Sequence, residues 1–224
     1  MKFRASHPIN FSELKFFQIF ALFFGLGILA YRNALFYPFV HDDIVFIQQN
    51  PHIAALTHWG EVFHSQSSSL AIANPYWRPV LEAVYRLQYQ VFGLHPSGYH
   101  FVNICIHVLN ANLVYYCLKN ILGRFATPFI VAVVFLLHPV QSEAVACISG
   151  ISNLLYAFFG LLSFWLYLRS STILSLIIYA LALLTKEQAI VFPFLILFYE
   201  YCFQQGLETR AVTRFLKFGG FFLV

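Results

Sequence analysis

"FYPFVHDDIVFIQQNPH", residues 36–52, closes the first long apolar run of the chain and sets two carboxylates, Asp42 and Asp43, directly after His41. The chain has only nine acidic residues in 224. Two of them side by side at the end of a greasy segment are either a solvated corner or a reactive site. Composition decides what surrounds them. Hydrophobic residues make up 60% of the chain and charged residues 10%, with a mean hydropathy of +0.71. Soluble domains carry about 25% charged residues. The composition excludes a globular domain around one buried core and indicates an all-α polytopic membrane protein. The net charge of +4 is modest. It reads as a topology signal and not as affinity for nucleic acid. Cys105, Cys117, Cys147 and Cys202 lie in or near apolar runs without a CxxC pair, as small apolar fillers do.

Outward from the opening stretch, the apolar runs cover residues 14–37, 99–118, 125 to the His138–Pro139 pair, 151–168, 173–184 and 189–203. The first is long enough to serve as an anchor, and no cleavable signal peptide is evident. A seventh run begins at Phe215 and stops at Val224. A helix needs about 20 residues to cross the hydrocarbon. The expectation is therefore one partial transmembrane domain over residues 1–224, with about six spans and the start of a seventh, truncated at its C-terminus. Placing the N-terminus in the cytoplasm puts nine basic residues inside and four outside (Arg32, Arg78, Arg86, Lys186), in line with the positive-inside rule. The pair Asp42–Asp43 then lies on the outer, periplasmic or lumenal, face.

Residues 38–96 form the long outer loop. In its second half, Pro79 suits a first helical turn. Val80, Ala83, Val84, Leu87 and Val91 share one face, and Arg78, Glu82, Tyr85, Arg86 and Tyr89 share the other. This predicts an amphipathic helix over residues 79–92 lying on the membrane. Its polar face either meets water, with Glu82 and Arg86 as an i,i+4 pair, or offers arginine forks to lipid phosphate. Along the second span, His100, Asn103, His107 and Asn110 recur on one face. Polar groups are costly in lipid, so this stripe faces the bundle, either for helix–helix hydrogen bonds or to shape a substrate cavity. His138, Gln141, Ser142 and Glu143 follow the third run; Thr185, Lys186, Glu187 and Gln188 follow the fifth. With the Asp pair, three polar clusters converge on one membrane face, as a surface site requires.

The stretches "FVHDDIVFIQQNPHI", "YWRPVLEAVYRLQYQVFGLHPSGYHFVNICIH", "LLHPVQSEAVACISGISNLL" and "LALLTKEQAIVF" lie in order across most of residues 39–198. They resemble the membrane domain of the tetratricopeptide-repeat-linked O-mannosyltransferases and their bacterial relatives, in the GT-C glycosyltransferase superfamily. The resemblance implies a GT-C-like helical bundle with an acidic motif in its first outer loop. It implies a polyprenyl- or dolichyl-phosphate sugar donor, a protein or glycan hydroxyl acceptor such as Ser/Thr, and transfer outside the cytosol, in a bacterial inner membrane or the endoplasmic reticulum. No period of about 34 residues marks helical repeats in this chain. "SGISNLL" also departs from the arginine or aspartate that relatives often show before "LL".

By that resemblance Asp42 is the catalytic base, and Asp43 orients it or binds a divalent ion with Glu143. Lys186 and Arg78, with Arg86 behind them, are the donor-phosphate residues; His107, His138, Glu143 and Glu187 support the site. Such a transfer needs a carboxylate for the acceptor proton and positive charge for the departing phosphate. The histidines have no zinc-ligand spacing. Two other classes fit the spans: a lipid or solute transporter, for which no inverted repeat is found, and a non-catalytic membrane scaffold.

Overall fold

The computed structural model describes residues 16–50, 53 and 77–203; the region from Gln204 onward, with the expected seventh span, and much of the outer loop lie outside them. Among the described residues every regular element is helical. Helix α1 (Phe16–Tyr31) runs into a 3-10 turn, Arg32–Phe36. Helix α2 (Pro79–Phe92) is the expected loop helix, within the bounds the sequence predicts. Helix α3 (Pro96–Leu122) is the longest, and α4 (Ala126–Leu137) follows it. A short α5 (Ser142–Ala146), α6 (Ile151–Leu168), α7 (Thr172–Thr185) and α8 (Val191–Phe203) complete the set.

Three helical segments, Phe17–Phe36, Pro96–Leu122 and Ile148–Leu168, are long and apolar enough to cross a membrane. A fourth arises if Ala126–Leu137 and Pro139–Ala146, bent by 49°, are taken as one span. The protein is an all-α, multi-pass membrane chain. Helices α7 and α8 coincide with the fifth and sixth apolar runs, with 14 and 13 described residues.

The bundle is organised around α3, which at about 1.5 Å per residue is roughly 40 Å long and packs against α1, α4 and α6. Ile19, Phe23, Gly27 and Tyr31, spaced by four, form the buried stripe of α1. At Gly27 a Cβ would come within 2.6 Å of the Val108 side chain, so glycine there lets the two helices close. A Ser163–Ser175 pair clamps α6 to α7: each hydroxyl donates to the other residue's carbonyl, at 2.8 and 2.7 Å.

The polar stripe of α3 bonds backbone carbonyls of its neighbours, three of them at helix ends or breaks. Pro139 drives His138 out of helical geometry (ψ 130°). The Val140 amide, which would have bonded Leu136 in an unbroken helix, goes instead to His138 Nδ1 at 3.2 Å. The Leu136 carbonyl is then taken by His107 Nε2 at 3.0 Å and by the Tyr31 hydroxyl at 3.2 Å. Asn103 Nδ2 donates to the Cys147 carbonyl at 2.8 Å, where α5 ends, and Asn110 Nδ2 to that of Leu154 at 2.9 Å. His100 Nε2 donates to the Tyr37 carbonyl at 3.2 Å, just beyond the end of α1. Unsatisfied backbone groups are not tolerated in hydrocarbon. Of the two readings of the stripe, the hydrogen-bonding one accounts for all four residues.

Helix α2 departs from the expectation in one respect. Its apolar outer face, with Leu87 and Val91, is exposed, as a membrane-facing surface requires. Its polar face turns inward, toward the bundle. Glu82, Tyr85, Arg86 and Gln88 are buried against the bundle, and Arg86 Nη2 bonds Glu82 Oε1 at 2.8 Å with both side chains 2% exposed. Around lipid the usual order inverts: apolar residues turn outward and polar ones inward, where partners are available.

Candidate active site

Successive helices alternate in direction, so the end of α1, the start of α3, the end of α4, the start of α6 and the end of α7 gather at one end of the bundle. The segments joining them enclose a cavity of about 490 Å³. His41, Asp42 and Phe46 reach it from the stretch after α1; Arg78 and Tyr85 from α2 and its N-cap; Glu143 from α5; Asn153 from the first turn of α6; and Lys186 from just beyond α7. The three polar clusters singled out in the sequence thus each contribute to one cavity.

Local backbone sets the two acidic residues apart. His41 adopts a left-handed conformation, φ 49°, which few non-glycine residues take. A single π-type turn, Ile44–Gln48, closes behind it with Gln49 N–H donating to the Ile44 carbonyl at 2.8 Å. Such turns are rare and recur at functional sites. The result points Asp42 into the cavity, exposed, and Asp43 into the protein at 0% exposure. Asp43 Oδ1 accepts from the Ser149 amide at 2.8 Å and Oδ2 from the Val40 amide at 3.2 Å. Asp43 ties the stretch after α1 to the turn before α6.

Two cations, Arg78 and Lys186, also line the cavity. Arg78 Nε and Nη2 make a two-pronged bond to Glu187, at 3.1 and 2.7 Å. That bond, first among several causes, holds the Glu187 carboxyl below its ordinary pKa. Lys186 Nζ donates to Asn153 Oδ1 at 2.6 Å and lies 5.9 Å above the Tyr156 ring. Partial burial, and then the Arg78 charge, lower its pKa. Burial, followed by the charges of Asp43, Glu143 and Asp42, raises that of the Cys147 thiol.

Of the residues named from sequence, Asp42, Arg78, Glu143 and Lys186 line the cavity, and Glu187 joins it through Arg78. Arg86 lies in the buried pair with Glu82, and His107 on the Leu136 carbonyl. His138 is an exposed cap for Val140. A divalent ion on Asp43 and Glu143 does not fit these residues: Asp43 spends both oxygens on amides, and among the described residues no three of His, Cys, Asp or Glu gather to hold an ion. Sequence reasoning missed Asn153 and Tyr85 as cavity residues. The signal for Asn153 was the departure within "SGISNLL": the amide that stands before "LL" is the group that holds Lys186.

No family model matches the chain, and no solved structure matches it. Three curated relatives illustrate its likeness. It is 33% identical over 156 residues to human "Protein O-mannosyl-transferase TMTC1", covering 67% of this chain and 18% of the relative. It is 32% identical over 177 residues to "Protein O-mannosyl-transferase F38B6.6" of Caenorhabditis elegans, covering 75% of this chain and 26% of the relative. To human "Protein O-mannosyl-transferase TMTC3" it is 29% identical over 212 residues, covering 88% and 22%. The chain thus spans about a fifth to a quarter of the length of these relatives. Over most of its own residues, this chain is a homologue of the TMTC protein O-mannosyl-transferases.

Proposed function

We propose that this chain forms the reactive face of a membrane glycosyltransferase that moves mannose from a polyprenyl- or dolichyl-phosphate to a hydroxyl of a protein Ser or Thr. The face is the lumenal or periplasmic one, with the N-terminus in the cytoplasm. The observation that carries the reading is the joining of one exposed carboxylate, Asp42, with two cations, Arg78 and Lys186, around a single cavity. The relatives' names supply the sugar and the class of acceptor.

In this reading Asp42 takes the proton of the acceptor hydroxyl as its oxygen bonds to the anomeric carbon. The bond from that carbon to the lipid-phosphate oxygen breaks, and its electron pair leaves with the phosphate. Arg78 and Lys186 stabilise the departing anion. One displacement inverts the anomeric configuration. Asp43 does not react; it holds the backbone that aims Asp42. Glu187 and Asn153 hold the two cations in place before any donor arrives.

The test is Asp42→Asn in the full-length protein, assayed in membranes with a panel of lipid-phosphate sugars and a Ser/Thr peptide. Transfer falls by about two to four orders of magnitude, the range of general acid–base groups, while expression and membrane insertion are unchanged. Undiminished transfer by Asp42→Asn refutes the assignment.

A further inference from the structure

Tyr85 is a cavity residue that the proposed reaction leaves unused. It stands in the second turn of α2 and is 2% exposed. Its ring is packed among Ile47, Leu81, Tyr99 and Ile148 and leans on Phe46, with ring centroids 6.2 Å apart. The ring therefore cannot swing away. Its side chain nevertheless lines the cavity, and its hydroxyl has no hydrogen-bond partner among the described residues. A buried tyrosine hydroxyl normally finds one. Here the open side is the cavity, so the partner is whatever the cavity holds.

The chemistry of that partner follows from the surroundings. Burial above all, and then the carboxylates of Asp43 and Asp42, raise the phenol's pKa well beyond its ordinary value. Tyr85 is thus a neutral hydroxyl that can both donate and accept. An anionic phosphate is better served by the cations Arg78 and Lys186, which also line the cavity. A sugar hydroxyl, itself donor and acceptor, matches a phenol. The Phe46 and Tyr85 rings add an apolar wall suited to the C–H face of a pyranose. On the glycosyltransferase reading above, we infer that Tyr85 is a specificity-determining residue whose hydroxyl bonds a ring hydroxyl of the glycosyl group bound beside Asp42.

The experiment compares full-length wild type with Tyr85→Phe, which keeps the ring and its packing and removes only the O–H. Donors are dolichyl-phosphate mannose and its monodeoxy analogues, one for each ring hydroxyl, with a Ser/Thr peptide as acceptor. Sites built to bond a hydroxyl discriminate strongly against analogues lacking it. The wild type is expected to disfavour one deoxy donor by at least about tenfold in kcat/KM. Tyr85→Phe is expected to lose about as much on the intact donor and to erase that one preference. Preferences are ratios within one preparation, so an inactive fraction cancels. Tyr85→Phe with wild-type kcat/KM, or with every wild-type preference retained, overturns the inference. So does a wild type indifferent to all the deoxy donors, which needs no variant at all. Asp42→Asn run in parallel separates the two claims: undiminished transfer there defeats the glycosyltransferase reading. Its loss beside an unaffected Tyr85→Phe defeats only the role of Tyr85.

Discussion

Asp43→Asn separates the two neighbouring carboxylates by their jobs. The buried carboxylate accepts one amide through each oxygen, Ser149 at 2.8 Å and Val40 at 3.2 Å. A side-chain amide has one oxygen to offer. Whichever way it flips, its NH2 group faces a backbone N–H, and one of the two donors is left unsatisfied in a fully buried position. Losing a hydrogen bond to a charged group costs about 1.5–3 kcal/mol. For a chain of this size each kcal/mol lowers Tm by roughly 2–4 °C, so Asp43→Asn is expected to melt roughly 3–12 °C below wild type. Asp42 makes no comparable bonds and is exposed in the cavity. Asp42→Asn, like most exposed substitutions, stays within about 0.5 kcal/mol of wild type. The assay is thermal unfolding of the purified proteins in detergent, followed by tryptophan fluorescence, beside the transfer assay. The expected pattern is crossed: Asp42→Asn stable and inactive, Asp43→Asn less stable and retaining transfer while folded. If Asp43→Asn melts with wild type, or Asp42→Asn melts below it, the division of roles is wrong.

Gly150→Ala is expected to lower Tm or folded yield, because the new Cβ would stand 2.3 Å from the Ala144 carbonyl oxygen and 2.8 Å from its carbon, backbone atoms that cannot rotate aside; Gly25→Ala, with nothing within 4 Å, is the neutral control in the same melt. Lys186→Ala is expected to raise KM for the lipid-phosphate donor more than for the acceptor, since it removes positive charge from the phosphate side. The sign of its pH dependence follows from the lowered pKa: the cation is present at low pH and is lost as pH rises through a value below that of an ordinary lysine. Donor KM therefore climbs on the alkaline side in wild type, and Lys186→Arg, which stays charged, abolishes that rise.

The sequence made the helices legible because apolar length and proline placement decide them. Residues 151–168 and 79–92 come out with the expected bounds. It was less informative about direction. Periodicity finds the face of α2 that carries Val80, Leu87 and Val91, but an apolar face can turn to lipid or to the core with the same pattern. The buried Glu82–Arg86 pair follows from that choice, which only packing against the bundle settles. Adjacent carboxylates posed the same difficulty. Side chains at successive positions diverge, and the left-handed turn at His41 determines which one meets the cavity. The stripe on α3 was readable as inward-facing, but three of its four residues bond carbonyls at helix ends or breaks. Those breaks are visible beforehand only at Pro139.

These breaks connect the membrane interior to the cavity. Much of the cavity wall comes from irregular backbone: the stretch around His41, the turn around Ser149 and Gly150, and the extended residue Lys186 (φ −160°). Irregular backbone near a bilayer leaves carbonyls and amides without helical partners, and these must be satisfied by protein. His100 takes a carbonyl just beyond α1, Asn103 one beside the Ser149 turn, and Asp43 two amides that join those same regions. The polar residues of α3 therefore need not touch a substrate to matter for the site. They allow the chain to leave helical geometry at the points where Asp42 and its neighbours must be presented. A rigid set of side chains around an open cavity is what a transfer reaction requires, because preorganised groups need no rearrangement as charge develops. The cost of breaking the helices near the bilayer is offset by hydrogen bonds from α3, and the same bonds fix the walls of the cavity.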